Sequence, residues 1–142
     1  MGFDTVSKIK AYSALASASR NTVNELYITE VNWPLQEMNR WSPSAEYLIE
    51  ESLQSSYLIR YYLLMLASGK VKKCYWHQLV APGYGLVNNL DGEIKKRDAY
   101  FCFKHLISIF SDSKTKKFIQ EKKLYCLIVE KKHTIIEAVW SS

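Results

Sequence analysis

No stretch of this sequence is apolar for long enough to cross a bilayer. The closest, YLIRYYLLMLAS at 57–68, is about twelve residues where a spanning helix needs roughly 20, and Arg60 interrupts it. It reads instead as part of a buried helix. The opening MGFDTVSKIK carries Asp4, Lys8 and Lys10 and has no apolar core, so no secretory leader is expected. Cysteine is scarce. Cys74, Cys102 and Cys126 are far apart, odd in number and form no CxxC pair, which argues against a disulfide framework or a metal cage. They are expected as reduced, mostly buried thiols in a cytoplasmic protein without a membrane partner. His77, His105 and His133 are scattered, so neither a metal nor a cofactor is expected. A GxSxG elbow is missing, and APGYGL lacks both the glycine spacing and the GK[ST] ending of a phosphate loop. There is no internal repeat and no low-complexity segment.

What is present fits a globular chain with a real core: 142 residues, 48% hydrophobic and 23% charged. Ten tyrosines suit a core and equally suit a platform for sugars or bases. The charge is uneven. Residues 114–133 hold seven lysines against two acids, which accounts for the whole net charge of +5. Such a segment is either an electrostatic patch or a lysine-rich edge that discourages aggregation. The absence of arginine there and of a nucleic-acid motif favours the edge, and no nucleic-acid partner is expected.

Along the chain, residues 3–18 are expected to be helical, with Phe3, Val6, Ile9 and Leu15 as the apolar positions. LYITEVN, rich in aromatic and β-branched residues, is a strand that Trp33-Pro34 terminates. After the loop PLQEMNRWSPS, a helix is expected from about 45 to Ser68, with Gly69 as its stop. Its second half is apolar nearly all round and so buried on more than one side. VKKCYWHQLV is a second strand, and APGYGLVNNLDG a loop. A third helix, from about Arg97 to Phe110, carries Tyr100, Phe103, Leu106, Ile107 and Phe110 as its stripe. FIQ, LYCLIVE and TIIEAVW complete an antiparallel tail. Alternating helices and strands imply parallel pairing in the first part.

Both strands end in unusual residues, Thr29-Glu30-Val31-Asn32-Trp33 and Tyr75-Trp76-His77-Gln78. In β/α folds the carboxyl edge of the sheet is where sites form. Alternation puts Glu30 on the face of Leu26 and Ile28, as the last inward residue. A carboxylate there is either paired with a Lys or Arg or held for chemistry.

LYITEVNWPL followed by YWHQLVAPGYGL resembles the last two strands of clan A retaining glycoside hydrolases, which are (β/α)8 barrels. It is most like the glycosidase-like proteins of bacterial polysaccharide gene regions. The resemblance covers nearly the whole chain. It implies an α/β fold: a partial TIM barrel made of the last two βα units at residues 1–112, then a small antiparallel β tail at 113–142. It implies Glu30 as the catalytic nucleophile and Trp76 as the floor under the sugar ring, with a non-proline cis bond after Trp76. Asn32, Trp33, His77, Gln78 and Tyr84 would line the cleft, although His77 and Tyr84 are equally at home as structural contacts. The family's acid/base, a Glu after Asn on the fourth strand, has no counterpart. The one Asn-Glu pair, Asn24-Glu25, lies in a connector, and a full barrel takes about 250 residues.

The expected function is therefore that of the C-terminal part of a retaining glycosidase, carrying the nucleophile and inactive alone. A non-catalytic remnant or adaptor that binds a glycan or a protein is the alternative. The partners expected are a carbohydrate substrate and either an N-terminal barrel polypeptide or a second copy meeting the open strand edges.

Overall fold

The computed structural model describes residues 3–18, 25–36, 48–90 and 92–141. Among these lie three helices: α1 (Phe3–Ala18), α2 (Glu51–Ser68) and α3 (Asp98–Phe110). The strands are β1 (Leu26–Val31), β2 (Val71–Trp76), β3 (Val87–Asn88), β4 (Lys95–Lys96), β5 (Lys114–Glu121), β6 (Leu124–Lys131) and β7 (Thr134–Ser141). They form three small open sheets, β1-β2, β3-β4 and β5-β6-β7, so the protein is mixed α/β.

β1 and β2 are joined through α2, and they run the same way. At their starts Lys72 Nζ meets Glu25 Oε1 at 2.7 Å, and at their ends the His77 N–H donates to the Val31 carbonyl at 3.0 Å. A helical crossover between parallel strands is the expected βαβ arrangement.

The contacts divide the chain into two compact units, residues 1–27, 60–73 and 110–142 in one and 28–59 and 74–109 in the other. In the first, the core is Val6 and Ile9 of α1, Leu63, Leu64 and Met65 of α2, and Tyr125, Leu127 and Val129 of β6. Alternation along β6 turns those last three to one face. The antiparallel register sets Tyr125 opposite Trp140, and Phe118 completes a stack of three rings with centroids 5.3 to 6.3 Å apart. Two tight hairpins join the strands, with Lys122 and Lys132 in the left-handed region at φ 53 and 56. A positive φ at the first turn residue matches the twist of such hairpins. The Thr115 hydroxyl donates to the Leu66 carbonyl at 2.6 Å, pinning β5 to the end of α2. The lysines of this tail are exposed at 114, 116, 117, 122, 123 and 132, the solvated edge described above.

In the second unit the buried residues include Leu35, Ile49, Leu58, Leu86, Val87, Ala99 and Leu106. Arg97 is buried as well. Its guanidinium binds the Glu51 carboxylate and donates to the Pro82 carbonyl at 2.8 Å, and its own N–H donates to the Leu86 carbonyl at 3.0 Å. A buried cation needs both an opposite charge and hydrogen-bond acceptors, and Arg97 has both.

Several expectations need correction. α2 begins at Glu51 rather than near 45, because the backbone of Ile49 is committed to a bridge with Leu35, through Ile49 N to Pro34 O and Gln36 N to Ile49 O. The proposed start at Ser42-Pro43-Ser44 lies outside the described residues. β2 ends at Trp76 rather than Val80, since beyond Trp76 the chain leaves β1 and the carbonyls of Gln78 and Leu79 accept from Leu86 and from Val87 of β3. The loop after β2 contains β3, which pairs antiparallel with β4. Leu15 is 68% exposed, because at about 100° per residue it lies on the far side of α1 from Val6. The three cysteines are free and half-buried rather than deeply buried. The second half of α2 is enclosed as expected, with no exposed residue from 57 to 68.

Candidate functional site

The two strand ends are stitched together by their own polar groups. The Asn32 amide donates to the His77 carbonyl at 2.6 Å, beside the His77 N–H to Val31 carbonyl bond. Asn32 therefore has a defined structural task. This is the residue type that can donate to a carbonyl just where Pro34 is about to end the strand.

Next to that junction the aromatic rings gather. Trp33 meets Trp76 at 5.9 Å with the rings tilted by 37°, and Tyr57 of α2 edge-on at 5.6 Å. His77 stacks on Tyr84 at 5.6 Å and 19°. The Tyr84 backbone is held in turn: Gln54, fully buried on α2, donates from Nε2 to its carbonyl at 3.3 Å. Gly85 makes this turn possible. A Cβ there would lie 2.3 Å from the Ala81 nitrogen and 2.7 Å from its carbonyl oxygen. Gln78 turns away, exposed, with its amide on the Val80 carbonyl at 2.9 Å. The non-proline cis bond expected after Trp76 is found one position later, between His77 and Gln78.

Asn32, Trp33, Trp76, His77 and Tyr84 are thus brought together at the carboxyl ends of β1 and β2. Glu30 stands beside them in sequence, one residue before the carbonyl that His77 bonds. Its side chain is exposed rather than inward, so water solvates the carboxylate.

Glu25, of the Asn-Glu pair, is committed elsewhere. It accepts from Lys72 at 2.7 Å and from the Tyr27 hydroxyl at 2.5 Å, and these bonds hold its pKa below the ordinary carboxylate value. At about 3.3 Å per residue it also sits roughly 16 Å along the strand from Glu30. Two carboxyl groups of a retaining pair stand about 5–5.5 Å apart, so Glu25 is not that partner.

Tyr57 escaped sequence reasoning as a member of the cluster, because an aromatic on an apolar helix reads first as core. Its place one turn after Gln54, on the helix linking the two strands, was the available signal. Among the described residues no cluster of His, Cys, Asp and Glu could hold a metal ion. No protein-family model, curated protein or solved structure matches this chain.

Proposed function

We propose that this chain is the nucleophile-bearing part of a retaining glycoside hydrolase that cleaves O-glycosidic bonds of a carbohydrate. In this reading its βαβ unit is the closing portion of a (β/α)8 barrel. Glu30 attacks the anomeric carbon and forms a glycosyl ester, and Trp76 and Trp33 support the apolar face of the sugar. The acid/base carboxylate, which protonates the departing oxygen and then activates water, comes from another polypeptide segment. The observation that carries the reading is the meeting of Asn32, Trp33, Trp76 and His77 at the carboxyl ends of two adjacent parallel strands, with Glu30 one residue before the end of β1.

The exposure of Glu30 favours a second reading, in which the same aromatic surface binds a glycan without turnover. The two are separated by dinitrophenyl glycosides of deoxyfluoro sugars. Their leaving group departs without an acid, so a nucleophile alone suffices to form the ester. Intact mass and peptide mapping are expected to show one sugar on Glu30, none on Glu30→Gln, and no multiple turnover by the chain alone. Binding across a panel of hexosides without any adduct would leave the glycan-binding reading standing.

A further inference from the structure

One cavity borders that site through Trp76 and is otherwise unused by it. It has a volume of about 400 Å³ and lies between α3 and the end of β2. From α3 it is lined by Tyr100, Phe103, Lys104 and Ile107, which at spacings of three, four and seven residues share one helix face. Trp76 and Leu86 stand opposite. The sequence stripe predicted on α3 is therefore incompletely covered, and Ile107 remains 50% exposed.

The size suits a small ligand, since such pockets run from about 300 to 1,000 Å³. Its polar character has one sign. Lys104 is exposed and makes no ion pair among the described residues. Lys96, outside the lining, holds its Nζ over the Tyr100 ring, 5.0 Å from the centroid. Trp76 Nε1 is buried with no hydrogen-bond partner among the described residues, which leaves a donor to be satisfied beside the wall. Among the described residues no acidic side chain lines the cavity. Donors and cations without an opposing carboxylate select an acceptor of negative charge. Walls of Trp76, Tyr100 and Phe103 select a flat apolar body, which aromatic rings contact face-on or edge-on.

We propose that this cavity is a binding site for an anion with a flat apolar body, of the class of aromatic carboxylates and sulfonates. Lys104 pairs with the anionic group and the rings hold the body. The site does not depend on Glu30 being a nucleophile.

Two fluorescent probes test it, anilinonaphthalene sulfonate and its uncharged parent phenylnaphthylamine. The sulfonate is expected to bind the full chain at a single equivalent and more tightly than the parent. Lys104→Met should weaken the sulfonate about tenfold or more, the scale of a lost charge-assisted contact, and leave the parent unchanged. Ile107→Trp, which fills the cavity from its exposed side, should abolish binding of both, with circular dichroism unchanged. Equal affinity for the two probes, indifference of the sulfonate to Lys104→Met, or persistence of binding in Ile107→Trp would each overturn the proposal.

Discussion

Gly85→Ala isolates the part of the structure that places Tyr84 against His77. Gly85 does not have a positive φ, so the need for glycine is one of space alone. The added methyl would lie 2.3 Å from the Ala81 nitrogen and 2.7 Å from its oxygen, far inside van der Waals contact. Neither atom is free to give way. The Ala81 N–H donates to the Val87 carbonyl at 3.1 Å, and the Ala81 carbonyl accepts from the Gly85 N–H at 3.1 Å. Relief requires opening this turn and losing both bonds, each worth about 1 kcal/mol net. Adding the usual strain of overpacking, about 1–3 kcal/mol, the expected loss is about 3–5 kcal/mol. Urea unfolding should show a lower midpoint with an unchanged slope. The near-ultraviolet circular dichroism should change as the His77–Tyr84 stack shifts. A stability within about 0.5 kcal/mol of the parent, the range of ordinary surface changes, would refute the reasoning.

Two further outcomes concern the β5-β6-β7 sheet. Leu127 is 0% exposed at the centre of β6, and Leu127→Ala should cost about 2–5 kcal/mol by urea unfolding, with loss of the stacked-ring signal from Tyr125 and Trp140. Glu130 accepts from Lys116, which holds its pKa below 4.5, with Lys114 adding a smaller effect. A lowered folded pKa stabilises the fold above the unfolded value near 4.5, and the contribution is lost as pH falls through the lowered one. A carboxyl-carbon NMR titration should place Glu130 below 4.5 and return it upward in Lys116→Gln.

Local order was legible in the sequence wherever one pattern ran without competition. β1, α3, β6 and β7 lie within a residue or two of where apolar periodicity and turn residues put them, whereas β5 begins four residues before the expected FIQ, in the lysine-rich segment that carries no apolar alternation. The strand-end residues were legible as well, because Asn, Trp, His and Glu at the close of apolar runs have no reason to be there for secondary structure alone. α2 was misjudged at its start. Helix propensity is a local quantity, and the backbone of Ile49 was claimed by Leu35, fourteen residues earlier.

The amino-acid order by itself indicated the three helices, the longer strands, the parallel crossover and most of the residues that meet at its carboxyl end, since these follow from short-range spacing and chain direction. Only the tertiary structure decided that Tyr57 joins Trp33, that Glu30 faces water, that Arg97 is buried between Glu51 and Pro82, and that α3 leaves a cavity beside Trp76. Each depends on groups distant in sequence arriving at the same place. Burial and charge pairing are properties of that arrival, and no local pattern carries them.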